Sequence, residues 1–413
     1  MHPKDISITA FTYELPGERI ARYPLPGRDD SKLLVFDQGS ICEDTYARLD
    51  QHLPSDSFLL FNNSRVIEAR LLFQKSTGTE VEIFCLEPYH SNVSAAMQQQ
   101  GTVEWRCMVG GAKKWKEDIL SKSIPTDTGT VHLTAKKIKQ ENGTWIISFR
   151  WSPAELPFAA VLHLSGVLPL PPYLNRAAEK KDSDTYQTVY ATSEGSVAAP
   201  TAGLHFTWEL LQKLEQKGIG KAFITLHVGA GTFLPVKAET MKGHTMHAEF
   251  IDLSVGAIEA IRGNIGKPIV CVGTTSLRAT ESLYWMGVKL SKALAEDPSA
   301  AISAEDIAVQ QWDPYEIRGS LTAAGSLDIL LGWMKKTLAT RLVVKTQILI
   351  APGYRCRIAK GLITNFHQPQ STLLLLVAAV AGPQWRSIYE YALQHDFRFL
   401  SYGDGSLLWL AKE

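Results

Sequence analysis

No stretch of this 413-residue chain is long and apolar enough to span a bilayer. The longest apolar run, Leu373 to Ala381, falls well short of the ~20 residues a spanning helix needs. Net charge of one sign is missing too: 42 basic residues balance 42 acidic ones, which argues against a surface-wide field for nucleic acid but not against a local basic patch. Cysteine is sparse. Cys42, Cys85, Cys107, Cys271 and Cys356 are odd in number, widely spaced and form no CxxC pair, so they read as reduced, mostly buried thiols. The first residues lack the basic-then-apolar pattern of an export signal, and together with the thiols this makes the cytoplasm the expected compartment. No G-x-S-x-G elbow, dinucleotide fingerprint or Walker loop occurs, and no internal repeat or low-complexity tract. What remains is an ordinary folded composition, 45% hydrophobic and 20% charged, long enough for two domains or more.

The chemistry-bearing residues are concentrated between 193 and 249. One run is Gly195-Ser196-Val197-Ala198-Ala199-Pro200-Thr201-Ala202-Gly203-Leu204-His205-Phe206, and the other is His227-Val228-Gly229-Ala230-Gly231-Thr232-Phe233. Between them, Thr207 is placed to cap a helix over 208–216 and Gly218 to end it in the left-handed conformation. Lys221 to Val228 then reads as a buried strand. Each run sets a His and a Phe beside a Gly-containing turn at an element end, where loops on a rigid sheet carry chemistry. Turn closure by small residues and hydrogen-bonded core histidines explain either run taken alone.

Elsewhere the texture changes twice. Leu33–Phe36 and Ser57–Phe61 read as buried strands, after which 69–149 reads as short strands separated by turns, suggesting a small β barrel or sandwich. Residues 101–150 hold nine Lys or Arg against five Asp or Glu. An exposed Trp115 among these lysines would suit a phosphate backbone, although a solvated lysine face is the plainer account. From Pro157 onward α/β patterning returns. Pro268–Val272 is a strand ending in Gly273-Thr274-Thr275-Ser276, which opens a helix and aims free N–H groups at a carboxylate or phosphate, unless its hydroxyls are ordinary caps. Strands are expected at 346–351 and 361–366, with a helix from Thr372 to Ala381. His244, His247 and Glu249 are conceivable metal ligands, but no second cluster at ligand spacing accompanies them. His-bearing loops at 205, 227, 247 and 367, with Asp404, favour an enzyme acting on a nucleoside-like molecule without a metal.

The two central runs, together with Gly273-Thr274-Thr275-Ser276, Gly361-Leu362-Ile363-Thr364-Asn365-Phe366-His367, Ser401-Tyr402-Gly403-Asp404 and the early Phe61-Asn62-Asn63-Ser64-Arg65-Val66, resemble the S-adenosylmethionine:tRNA ribosyltransferase-isomerase family of queuosine biosynthesis. The resemblance runs in order along nearly the whole chain. It implies a main α/β domain (1–62 and 157–413) interrupted by an inserted small β-barrel domain (63–156). It also implies transfer and isomerisation of the ribosyl part of S-adenosylmethionine onto 7-aminomethyl-7-deazaguanine at the tRNA wobble position. The products are epoxyqueuosine, adenine and methionine, made with S-adenosylmethionine as co-substrate and no permanently bound cofactor or metal.

On this resemblance His205 and His227 are the first candidates to handle protons, with His247 and His367 next. Thr201, Gly203, Gly229, Gly231, Thr232, Asn365, Tyr402 and Asp404 are expected at the substrate. Arg278, or the turn with Thr274 and Ser276, is expected to hold the methionine carboxylate, and Phe206, Phe233 and Phe366 to sandwich a base. Gly405-Ser406 stands where the family carries Ala-Met. Two rival readings are a divergent S-adenosylmethionine-dependent relative acting on another base and a non-catalytic tRNA-binding module.

Overall fold

The computed structural model describes residues 2–75, 77–116, 118–127, 129–141, 143–229, 236, 238–319 and 321–410. The expected site residues Gly231, Thr232 and Phe233 lie outside them. In chain order the strands are β1 (Lys32–Asp37), β2 (Ser40–Thr45), β3 (Phe58–Asn62) and β4 (Ser64–Val66). There follow β5 (Arg70–Gln74), β6 (Glu80–Pro88), β7 (Thr102–Gly110), β8 (Ile119–Thr126), β9 (Gly129–Glu141), β10 (Thr144–Ser152), β11 (Gly166–Val167) and β12 (Ser193–Ser196). The last six are β13 (Gly220–His227), β14 (Glu249–Ser254), β15 (Ile269–Val272), β16 (Arg341–Thr346), β17 (Gly361–Asn365) and β18 (Gly405–Trp409).

The result is a mixed α/β structure built on two large sheets. The main sheet runs β16-β14-β13-β3-β15-β17-β18-β1-β2. Its centre, β13-β3-β15-β17, is parallel; β14 and β16 join antiparallel on one side, and on the other β18 is antiparallel to β17 and parallel to β1. Strand alternation decides what each face meets. Along β13, Ala222, Ile224 and Leu226 enter one core, under the helices Thr274–Glu296, Ala323–Lys336 and Thr372–Ala381. On the opposite face Leu59 of β3 and Val270 of β15 pack against Leu210, Leu211 and Leu214 of the helix Trp208–Gln216. Each such leucine contributes about 1.5–3 kcal/mol by leaving water. The Thr207 hydroxyl accepts from Leu210 N at 3.1 Å and starts that helix, and Gly218, at φ +90°, follows its end, as the sequence predicts.

The second sheet, β11-β5-β6-β7-β10-β9-β8, is antiparallel and curls into a half-barrel that brings β8 back beside β5 without a ladder between them. Its concave side has a core of its own, including Phe73, Trp105, Phe149 and Phe158. Trp115 belongs to that core at 1% exposure, correcting the expectation of an exposed Trp; Lys137 donates to its carbonyl and lies 4.9 Å from its ring. The half-barrel docks on the main sheet near β14, where Phe250 packs against its core.

The strand expected at 346–351 is displaced, because β16 ends at Thr346 and the 347–351 run, buried from Ile348 on, has no strand partner among the described residues. Residues 293–345 act as a brace. Gly287 lets the Ala323–Lys336 helix approach so closely that a Cβ there would fall 2.2 Å from the Ser326 carbonyl oxygen. Gln311 holds the 244–246 segment, its side chain accepting from Met246 N at 2.8 Å and donating to His244 O at 2.9 Å. The five cysteines are free thiols, with Cys85, Cys107 and Cys271 buried.

Candidate active site

The four parallel strands of the main sheet end at Asn62, His227, Val272 and Asn365, and the loops that follow them carry the expected motifs. Strand β3 lies between β13 and β15, so the chain connects to opposite sides of it, and a crevice opens beyond the carboxyl ends at such a point. There a cavity of about 110 Å³ is walled by Thr201, Thr274, Thr275, Arg278, Asn365 and His367, with Tyr173, Tyr186 and Ser401 on the far side.

Gly273, at φ +92°, makes the turn that points the first N–H groups of the Thr274–Glu296 helix at this cavity. One turn in, Arg278 is 5% exposed. Its Nε donates to Ile348 O at 3.2 Å and its Nη1 pairs with Glu249, itself buried, while Nη2 has no partner among the described residues. Burial raises the Glu249 carboxyl from its usual value, opposed by the Arg278 charge. Farther along the helix, Glu281 accepts from Tyr354 Oη and the N–H groups of Arg357, Ile358 and Ala359, which anchors the whole element. Three further polar atoms at the wall are buried and unpartnered among the described residues, Thr275 Oγ1, Asn365 Oδ1 and Tyr186 Oη. Four orphaned groups around one small cavity mark a place for a polar ligand, since buried polar groups are otherwise almost always paired.

His367 lines the cavity, bonded through Nε2 to the Thr364 hydroxyl at 2.8 Å, with its backbone N–H donating to Tyr389 Oη at 3.0 Å. Burial pushes its pKa down to about 4, so the ring is neutral at pH 7. His205 sits one residue behind the wall. Asn365 Nδ2 donates to His205 Nε2 at 3.2 Å and to Leu400 O at 3.0 Å, and the imidazole stacks on Tyr46 with centroids 4.2 Å apart. Burial, with Arg398 and Arg28 nearby, takes its pKa down to about 3.

Two smaller cavities adjoin the first. One of about 50 Å³ shares Arg278, Ser371 and Leu373 with it and is lined by Gly229, His247 and Glu249. Another, of about 90 Å³, shares Ser401 and is lined by His205, Arg28 and Tyr402.

A family model described as "Queuosine biosynthesis protein" matches residues 8–408. The chain belongs to this family. It is 35% identical over 407 residues to the S-adenosylmethionine:tRNA ribosyltransferase-isomerase of Trichlorobacter lovleyi, covering 97% of this chain and 99% of that one. It is 34% identical over 412 residues to the protein of that name from Thermosynechococcus vestitus, covering 98% and 97%. A solved S-adenosylmethionine tRNA ribosyltransferase from Thermotoga maritima aligns at 26% identity over 96% of this chain and 99% of its own, with a TM-score of 0.44.

Of the family motif residues expected at the site, Thr201, Thr274, Arg278, Asn365, Phe366 and His367 are gathered on the first cavity, with Gly229 and His247 on its neighbour. Convergence of all four histidines on one pocket is not observed. His227 points from the opposite side of the β13 end into a separate cavity, because His227 and Val228 alternate across the strand. Phe206 is fully buried, edge-on to Phe61 at 5.0 Å, and cannot reach a base. Most of the Phe366 ring packs on Tyr389 and Phe399. Ser276 turns back to bond Val272 O at 2.7 Å. Gly203 serves a close approach, since a Cβ there would fall 2.0 Å from Tyr190 Oη.

Tyr402 bonds Asp182 at 2.9 Å beside the 90 Å³ cavity. Asp404 is a tie between strands, accepting from Lys32 N at 2.9 Å and Arg398 N at 2.7 Å. Among the described residues no group of three or more His, Cys, Asp or Glu is placed to hold a metal, and Glu249 is committed to Arg278 instead. The reading from sequence missed Thr275, Tyr173 and Ser371 as wall residues. Thr275 sat in view within the strand–turn–helix signal, whereas the other two reach the cavity only through tertiary packing.

Proposed function

We propose that this chain is an S-adenosylmethionine:tRNA ribosyltransferase-isomerase. It moves the ribosyl part of S-adenosylmethionine onto 7-aminomethyl-7-deazaguanine at the tRNA wobble position, giving epoxyqueuosine and releasing adenine and methionine. The full-length kinship with proteins of that name supports the reading. The observation that carries it at the site is Arg278, whose free Nη2 meets the Thr274 helix start in a cavity beside a neutral imidazole.

The methionine carboxylate is bound by Arg278 Nη2 and the first N–H groups of that helix, where dipole and guanidinium act together. The sulfonium acidifies the ribose C5′ protons, so a neutral imidazole suffices to accept one, and His367 is the group on the wall with that character. His205, held behind the wall, positions Asn365, and the free Asn365 Oδ1 accepts from the substrate. S-adenosylmethionine is a co-substrate, with no permanently bound cofactor and no metal. The half-barrel between residues 63 and 156 is read as an inserted domain of barrel descent. Among the described residues no helix is long and apolar enough to cross a membrane, and the cytoplasm, where charged tRNA is met, is the compartment this reading assigns.

The test incubates the protein with S-adenosylmethionine and precursor-bearing tRNA and follows free adenine together with modified tRNA. Both products are expected, and His367→Gln lowers the rate roughly 100-fold. Adenine without modified tRNA would point to a relative acting on another base, and tRNA binding with neither product to a non-catalytic module.

A further inference from the structure

A polar cavity outside the strand-end cluster, of about 510 Å³, lies between the half-barrel and the main sheet. Its floor is the outer face of three paired strands. His227 of β13 faces Phe250 of β14, and Asp252, two residues on, faces Val343 of β16. The inner face of the same strands, with Leu226, Ile251 and Val344, is core. A roof is supplied by the helix Val93–Gln98 of the half-barrel unit, and one side by Glu194 of β12. His227 is 7% exposed, and its Nδ1, close to Gly195, has no hydrogen-bond partner among the described residues. Leaving such an atom unmet costs about 1–3 kcal/mol unless a ligand or water meets it.

The charge of this lining is informative. Asp252 is held by Arg341 at 2.7 Å and Glu194 is the remaining lining carboxylate, while the Lys345 ammonium stands 4.8 Å from the Phe250 ring, so the negative charge is local to Glu194. A phosphate is disfavoured beside Glu194. A base rich in N–H donors and bearing a cationic amine is matched, with Phe250 as an apolar wall. The position suits the reaction too. His227, Val228 and Gly229 are consecutive and line three different cavities, so the larger one and the one assigned to S-adenosylmethionine both border the end of β13, on its two sides.

We infer that this cavity receives the amine-bearing nucleobase of the RNA substrate, turned out of its stack, with the His227 imidazole and Glu194 accepting hydrogen bonds from the amine and the base edge. The inference rests on the activity proposed above and adds the place where the second substrate binds.

Glu194 is exposed and Glu194→Gln keeps its shape, so it tests the site without endangering the fold; His227→Gln is the second variant. Each is expected to raise the KM for precursor-bearing tRNA by roughly 10- to 100-fold, as for loss of a hydrogen bond to a charged group. S-adenosylmethionine affinity, read by equilibrium dialysis without RNA, stays within twofold. The free aminomethyl base is expected to inhibit the parent competitively against tRNA, and free guanine to do so far more weakly. If the parent turns over while both variants keep the parental KM, or if free guanine inhibits as well as the amine-bearing base, the pocket assignment is overturned. If the parent itself releases no adenine, the underlying activity fails instead.

Discussion

A methyl group on residue 405 has nowhere to go. Its Cβ would fall 2.2 Å from Tyr46 Oη and 3.0 Å from the Thr364 carbonyl oxygen. Tyr46 is fully buried and stacked on His205, so it cannot swing away. Gly405→Ala is therefore expected to destabilise the protein by about 1–3 kcal/mol, the usual cost of overpacking a tight core. It should also disturb the His205–Asn365 contact and so slow adenine release; a variant with parental melting temperature and rate would refute the packing argument. The same residue shows what a single chain conceals. Gly405 is visible as a departure from the resemblance, but its partner, Tyr46, lies far away in sequence and carries no motif. Arg278, Asn365 and His367 were legible because each lies at or just beyond a strand end beside a recognisable turn. Phe206 and Ser276 obey the same rule and still point inward, because a turn's sequence does not say which of its side chains faces the crevice.

At the scale of elements, the join between β14 and the long helix beginning at Thr274 is a buried ion pair. Glu249 and Arg278 are 3% and 5% exposed, and the carboxylate balances the guanidinium that presents Nη2 to the cavity. Glu249→Ala leaves that charge uncompensated, for an expected loss of about 3–5 kcal/mol by chemical denaturation. A loss under 1 kcal/mol would mean that the pair is hydrated in solution. The helix itself was readable from its Gly-hydroxyl start, as were 208–216 and 372–381 from cap and stop residues. Strands fared less evenly. The strand β8 escaped notice because Pro125 and alternating polar residues hide it, and its exposed outer edge has no apolar signature. The run Ile348–Ile350 imitates a strand by being apolar throughout, whereas the true strand, β16, buries only Leu342, Val344 and Thr346. Hydrophobicity reports burial, and only tertiary pairing decides whether a buried run joins a ladder.

For the molecule as a whole, three imidazoles kept neutral by burial set a pH dependence. His205 is held down to about 3 and His227 and His367 to about 4, against about 6.5 for an unfolded histidine. A folded value below the unfolded one means that the unfolded chain binds more protons between them. The stability these groups permit is therefore complete above pH 6.5 and lost as pH falls towards 4. Each contributes a slope of at most about 1.4 kcal/mol per pH unit inside that window. Asp44 and Asp182, whose carboxyls are held low by hydrogen bonds from His52 and Arg176 despite partial burial, act farther down, below their unfolded value near 4. Glu249, held high by burial, has the opposite sign: its contribution fades as pH rises through its folded value, so it partly offsets the histidines in the same window. Denaturant midpoints measured from pH 4.5 to 8 should thus be flat above about 6.5 and fall steadily below it. His367→Gln should flatten the acid limb by close to one proton without moving the plateau's onset. A midpoint that climbs on acidification from 6.5 to 5 in the parent but not in His367→Gln would mean that this imidazole is protonated in the folded protein, and with that the neutral acceptor required at the sulfonium would be lost.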